Sequence, residues 1–444
     1  MFVMKRWKKS IASVLLIGML QLAFFHINIS SVYAEGENQT PAASTSGAPK
    51  LDTAKAAILI DAATGQVLYE FNADEAREPA SMTKMMSEYL VLEAISAGKF
   101  TWDQPITTTK YAAHVPGSGQ MVAEGEKLPL KDMFALMSIY SGNDGTLSLA
   151  EAVGGSEEGF VDMMNAKAKE IGMSDKTFFN NATGLNHSDL GEFASPKYTG
   201  ENQMTARDTA TLARRLITDH PEILKYASVT SQKLRPTDKA PMINFNYMLE
   251  GFKDSVSLKQ FAYQGLDGLK TGFTTTAGYC FTGTAERNGM RLISVVMGTD
   301  KINQRFIETA KLMDYGFNNF EFKKLVDAKS AVAELKTVEV SKGVELEVPV
   351  VTKNGVEFMV KKGESPSLDV KVEQIAEDKR VAPLKRGDKL GTATYTYKSA
   401  SGDITQTVDL VAAEDVEKAS WWRMILRSIK NFFGGLFDSI VNLF

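Results

Sequence analysis

The chain has 444 residues, 44% hydrophobic and 23% charged, with a formal net charge of −4 and a single cysteine. At roughly 100–200 residues per domain this is an ordinary globular composition for two or three domains. One cysteine excludes a disulfide-stapled scaffold, and the absence of any basic excess gives nucleic acid nothing to bind.

In chain order, Lys5, Arg6, Lys8 and Lys9 precede an apolar run from Ile11 to Phe25 broken by Ser13 and Gln21, then Val32-Tyr33-Ala34. This pattern predicts a secretory signal peptide over residues 1–34, cut before Glu35, because the apolar run falls short of the roughly 20 residues that span a bilayer. Residues 35–50, rich in Ser, Thr, Ala, Pro and Gly, read as a leader too polar to order itself. A hairpin is expected from Ala56–Asp61 and Val67–Phe71 around Ala63-Thr64-Gly65. Pro79 to Ala97 follows a helical period, with Met85, Met86, Tyr89, Leu90 and Leu92 as core candidates. Further helices are expected at 130–140, 145–153, 157–171, 205–218 and 303–318. Residues 265–285 and 290–299 read as strands joined at Arg287-Asn288-Gly289. Strands on both sides of a helical block predict one sheet in which the two ends of the region meet. Cys280, between Tyr279 and Phe281, reads as a buried small hydrophobe rather than a reactive thiol.

From Lys323 the texture changes to short alternating segments, including Val344–Val350, Leu368–Val372 and Thr392–Tyr397, which predicts a separate all-β domain over 323–413. Residues 414–444 place Trp422, Ile425, Leu426, Ile429, Phe432, Phe433, Leu436, Ile440 and Leu443 at three- or four-residue spacing, with Arg423, Arg427 and Lys430 opposite. An amphipathic helix lying in a membrane interface is the expectation, with packing on the protein's own core as the alternative. The catalytic region is then 51–322.

Ser81-Met82-Thr83-Lys84 opens the helix after Pro79, and a spacing of three puts hydroxyl and amine on one helical face. Such a lysine is useful as a base only if the site lowers its pKa. The spacing alone is common: Ser96-Ala97-Gly98-Lys99 repeats it at a helix end, where it reads as a solvated terminus. What raises the first pair is its company, Ser141-Gly142-Asn143 in a turn between helices and Lys270-Thr271-Gly272 on a strand edge. His114, His187 and His220 lack metal-ligand spacing and no Gly-x-Ser-x-Gly elbow occurs, so neither a metal, a cofactor nor a Ser-His-Asp triad is expected.

With these three motifs in order, the chain resembles the low-molecular-mass penicillin-binding proteins that act as serine-type D-alanyl-D-alanine carboxypeptidases. The resemblance spans nearly the whole sequence, including Glu78-Pro79-Ala80-Ser81, Gly268-Leu269-Lys270-Thr271-Gly272, Ala277-Gly278-Tyr279 and the amphipathic tail. It implies an α/β (α+β type) catalytic domain of helices on an antiparallel sheet, like that of serine β-lactamases, then a small all-β stalk. It implies Ser81 as nucleophile, Lys84 as base made neutral by Lys270, and Ser141 as proton relay. Asn143, Lys270 and Thr271 would bind substrate, Gly272 belongs to the strand motif, and the N–H groups of Ser81 and Phe273 would form an oxyanion hole. Arg305 is either a second carboxylate-binding residue or a surface helix arginine, and Asn180–Leu185 either lines the cleft or is a surface loop. The substrate implied is the peptidoglycan stem peptide, with β-lactams as covalent inhibitors. No Glu-x-x-Leu-Asn segment lies between Asn143 and Lys270, so penicillin is expected to acylate and leave slowly.

Overall fold

The computed structural model describes residues 47–399 and 402–441; the expected signal peptide and the leader before residue 47 lie outside the described residues. Five antiparallel strands form the main sheet in the order Val67–Phe71, Ala56–Asp61, Met290–Thr299, Gly278–Arg287, Leu266–Thr274. The first hairpin therefore pairs with a strand more than two hundred residues later, and the ends of the region meet as expected.

The sheet is covered on both faces, which explains why its strands are continuous apolar runs rather than alternating ones. All six residues of Ala56–Asp61 are buried. Ala56, Ile58 and Ile60 enter one core with Met85, Leu92 and Phe134, while Ala57 and Leu59 enter another with Phe281, Leu292, Phe306 and Met313. Helix Gln304–Asn319 supplies the second core, and a helical block supplies the first. At the centre of that block lies Lys84–Ser96, buried on nearly every side. A helix enclosed all round can carry no polar face, so any charged residue in it must be satisfied internally.

The helices fall where the period placed them, at Leu130–Ile139, Asn143–Gly154, Glu157–Glu170, Ala206–Asp219 and Gln304–Asn319. Two local differences, and one turn that falls as expected, matter. Residues 265–285 form two strands, because the chain reverses at 275–277, where Thr274 Oγ1 accepts the Ala277 N–H at 3.1 Å and Gly278 has φ +69°. A run of threonines carries strand propensity, so the periodicity hid this reversal. At the next turn Asn288 and Gly289 have φ +51° and +78°, the mirror-type turn that an Asn-Gly pair favours. Finally, Pro79–Ala97 begins with a 3-10 turn, Ala80–Thr83, and becomes α-helical only at Lys84.

Beyond helix Gln304–Asn319 the chain is β-rich. Phe320–Val326 pairs with Val356–Lys361, and a second five-stranded sheet contains Thr337–Glu339, Glu347–Thr352, Gly402–Ala412, Lys389–Ser399 and Leu368–Gln374. Phe320 and Met359 join the core under helix Gln304–Asn319, so apolar packing runs across this junction. Helix Trp421–Val441 follows, and Arg427 holds it to the β-rich region by donating to the Gly343 and Val344 carbonyls at 2.6 Å each. Trp421, Trp422, Ile425, Leu426, Ile429, Phe432 and Phe433 are exposed rather than packed on a core. Among the described residues no helix is long and apolar enough to cross a membrane.

Candidate active site

The site is built around the turn that precedes the central helix. Pro79 leads into Ala80, whose φ of +49° is left-handed, a conformation that costs a non-glycine residue about 1 kcal/mol. Two glycines let other backbones close on this turn. A Cβ on Gly184, at φ +84°, would lie 1.9 Å from the Ala80 carbonyl oxygen. A Cβ on Gly272 would lie 2.6 Å from the Pro79 oxygen and 3.2 Å from the Met82 nitrogen. Strand Leu266–Thr274 is thus pressed against the turn on one side and loop 180–185 on another. From below, Asn202 donates to Thr83 Oγ1 at 3.0 Å.

Held in this way, Ser81 Oγ lies 2.9 Å from Lys84 Nζ. Lys84 is fully buried, and its amine also donates to Asn143 Oδ1 at 2.7 Å and to the Thr183 carbonyl at 2.8 Å. Two of its three partners are carbonyl oxygens, which only accept, whereas the third is a hydroxyl able to donate. An uncharged amine fits all three: its two N–H bonds are taken by the carbonyls and its lone pair faces Ser81. Burial pushes the Lys84 pKa well below the usual lysine range, and the Lys270 charge adds to that effect while Glu88 and Asp144 oppose it. The resemblance attributes the neutral amine to Lys270; in the structure desolvation is the larger cause.

The second motif lies opposite. Ser141 has φ +58°, and its Oγ accepts from Lys270 Nζ at 2.8 Å. Asn143 is the first residue of its helix rather than part of the turn, and its side chain is engaged at both ends, accepting from Lys84 and donating to the Pro116 carbonyl at 2.6 Å. It positions the amine and keeps one amide N–H free of these contacts. Asp144 accepts from the Met121 and Val122 N–H groups at 2.7 and 3.1 Å, fastening the loop that carries Ser118 to the cleft. Lys270 is buried, donates also to the Thr271 carbonyl at 3.2 Å, and has its pKa lowered to about 8 by burial.

A cleft of about 310 Å³ joins these elements, lined among others by Ser81, Ser118, Ser141, Thr271, Gly272, Phe273 and Arg305. Arg305 is buried, not a surface helix residue: it donates to the Gly272 carbonyl at 3.1 Å and stands over the Tyr279 ring, and its Nε has no partner. Loop Asn180–Leu185 lines the site from beneath, its Thr183 carbonyl reaching Lys84 and its Asn181 Oδ1 accepting from Thr183 and Gly184. The structure therefore gathers Ser81, Lys84, Ser141, Asn143, Lys270, Thr271, Gly272, Phe273 and Arg305 around one cleft and its floor. Cys280 is fully buried and its thiol pKa is pushed up to about 11 by that burial, as a packed hydrophobe should be.

Motif reading missed Glu88. It is buried one helical turn beyond Lys84, its Oε1 has no hydrogen-bond partner among the described residues, and burial raises its pKa to about 7. A carboxylate among Met85, Met86, Tyr89 and Leu90 was itself a signal, since acidic residues are rarely enclosed without a reason. The close approach at Gly184 supplies a test of the turn: Gly184→Ala must displace Ala80 and should lower stability by more than about 1 kcal/mol. Thermal unfolding followed by circular dichroism measures this, and an unchanged Tm would show that the turn does not depend on that contact.

Known proteins bear directly on this arrangement. The family profile described as D-alanyl-D-alanine carboxypeptidase matches residues 42–301, and that of the penicillin-binding protein 5 C-terminal domain matches residues 320–418. The D-alanyl-D-alanine carboxypeptidase DacF of Bacillus subtilis is 33% identical over 423 residues, covering 95% of this chain and 98% of its own. DacC of Escherichia coli, also named a D-alanyl-D-alanine carboxypeptidase, is 33% identical over 88% of this chain and 92% of its own. Among solved structures, a peptidoglycan synthesis regulatory factor (PBP3) from Streptococcus pneumoniae aligns with TM-score 0.69 at 33% identity, over 82% of this chain and 99% of that one. Penicillin-binding protein 5 of Haemophilus influenzae aligns with TM-score 0.64 at 28% identity, over 84% and 100%. With its antiparallel catalytic sheet, its β-rich second region and these matches along most of its length, the chain belongs to the D-alanyl-D-alanine carboxypeptidase family of low-molecular-mass penicillin-binding proteins.

Proposed function

We propose that this chain removes the terminal D-alanine from peptidoglycan stem peptides through an acyl-enzyme on Ser81. The observation that carries the reading is the set of partners of Lys84, a buried amine within hydrogen-bond distance of two carbonyls and the Ser81 hydroxyl; once uncharged, it can give its N–H bonds to the carbonyls and turn its lone pair to the hydroxyl. Ser81 Oγ attacks the carbonyl between the two D-alanines while its proton passes to Lys84. The oxyanion is stabilised by the N–H groups of Ser81 and Phe273, a pairing supported by the close approach of Gly272 to the turn. The C–N bond breaks as Ser141, held by Lys270, relays a proton to the departing amine. Water then cleaves the ester and frees Ser81.

The positive charge of Lys270 and the hydroxyl of Thr271 would receive the terminal carboxylate, with Arg305 adding to the field. Asn143 would offer its remaining N–H to the substrate amide. Penicillin would acylate the same serine and persist, because the motif that activates a deacylating water in common β-lactamases is missing from the sequence. The exposed apolar row of helix Trp421–Val441 supports peripheral attachment to the outer face of the cell membrane. The regions 51–322, 323–413 and 414–444 would then serve as catalytic domain, stalk and anchor of an exported protein whose first 34 residues are removed.

Mass spectrometry after penicillin treatment should find one adduct, on Ser81, and none in Ser81→Ala, which should also release no D-alanine. Full peptidase activity in that variant, or fast multiple turnover of penicillin by the wild type, contradicts the reading. The pH dependence has a definite sign. Lys84 acts uncharged, so acylation declines as pH falls through its pKa; the Glu88 carboxylate raises that pKa. Glu88→Gln should therefore move the acidic limb of the acylation rate to lower pH, and a shift the other way or none rules out the electrostatic link. A chain ending at Glu414 should lose binding to anionic lipid vesicles while still forming the penicillin adduct; retained binding would refute the tail as anchor.

A further inference from the structure

Beside the catalytic cleft, on the other side of Phe273, lies a second, larger cavity of about 510 Å³. The two spaces share Phe273 and Tyr279, whose rings stack at 4.2 Å between centroids, and Phe273 is half exposed. Strand Leu266–Thr274 is the edge of its sheet, so an extended peptide can lie along it. Its direction follows from the charges. If the terminal carboxylate sits at Lys270 and Thr271, near the start of the motif, the residues before the scissile bond must run past Phe273 toward the turn at 275–277. That path leads into the second cavity.

The cavity's charged residues are Lys55, Arg77 and Asp300. Among the described residues no carboxylate lies within ion-pair distance of Lys55; Arg77 pairs with Glu75 at 2.6 Å, yet its Nε is enclosed without a partner. The Lys55 stem rests on Gly298, where an added Cβ would come within 2.9 Å of Lys55 Cγ. Gly298 and Gly278, at φ +74° and +69°, let the Lys55 stem and the Thr299 backbone pack closely in this wall. The turn itself is braced, since Thr276 Oγ1 donates to Glu78, just ahead of the nucleophile turn, and accepts from Asn186 at 2.9 Å. Lys55 is exposed and Asp300 lines the same cavity, so its charged lining of two cations and one carboxylate is positive on balance and suits an anion.

We propose that this cavity is a second substrate subsite, in which Lys55, assisted by Arg77, binds a free carboxylate on the stem peptide upstream of the scissile bond. The proposal deepens the carboxypeptidase reading and rests on it. It makes the enzyme selective for stem peptides whose upstream side chain ends in a carboxylate over those in which that group is amidated.

The test uses two synthetic peptides ending in D-alanyl-D-alanine that differ only in an upstream carboxylate or carboxamide, and the full mature chain. The wild type should favour the carboxylate in kcat/KM by about fivefold or more, mainly through KM, as a charge-assisted contact would. Lys55→Gln should bring that ratio close to one, Lys55→Glu should invert it, and Arg77→Gln should lower it partway. Because the ratio is taken within each variant, a general loss of catalysis cancels. A wild-type ratio of one, or a preference that survives Lys55→Glu, overturns the subsite while leaving Ser81 untouched. Failure of the wild type to cleave either peptide defeats the carboxypeptidase reading instead.

Discussion

The arrangement depends on one amine taken out of water. Lys84 is the first residue of a helix enclosed by the protein core, and no carboxylate hydrogen-bonds to its side chain. Enclosing a charged ammonium there is costly, and burial accordingly pushes the Lys84 pKa down, toward the uncharged form that the proposed mechanism uses. The same desolvation that makes the position expensive for a charge favours the unprotonated amine, the form able to accept a proton from a neighbouring hydroxyl. Around that amine the protein places acceptors rather than opposite charges: a side-chain amide and a backbone carbonyl.

Glu88 and Lys270 complete this balance. Both are buried, and each moves the other's proton affinity: the carboxylate raises that of both lysines, and Lys270 lowers that of Lys84. Lys270 keeps a hydroxyl, Ser141, within hydrogen-bond distance just as Lys84 keeps Ser81. Two serine–lysine pairs thus face one cleft, each held by its own element, and the proposed proton path runs from one to the other. Left-handed backbone at Ala80 and Ser141 shows that both serines are set by the surrounding packing, not by local preference.

Backbone proximity gives the site its geometry. Gly184 and Gly272 admit a loop and a strand to within contact of the turn bearing Ser81, where any side chain would intrude. On the far side of Phe273, Gly278 and Gly298 likewise admit close contacts, with the Thr299 backbone and the Lys55 stem, in the wall of the second cavity. One edge strand therefore borders both a narrow catalytic cleft and a wider cavity, each with cationic side chains in or beside its lining.

Much was legible in the sequence itself. Period changes placed the long helices, the Asn-Gly turn was declared by its residues, and the order of three short motifs identified the family, because a shared fold carries those groups in that succession while the chemistry alone would accept any order. Strands on both sides of a helical block announced one sheet in which the ends of the region meet. What the sequence could not show was who would meet whom. The Thr183 carbonyl and the Pro116 carbonyl are anonymous backbone groups, and Glu88 carries no motif; their importance arises only when residues far apart in the chain are brought around one amine. The turn at 275–277 was hidden because strand propensity is local while chain reversal there is decided by tertiary contacts. Local chemistry is written residue by residue, but burial is a property of the assembled core, and it is burial that most strongly lowers the Lys84 pKa.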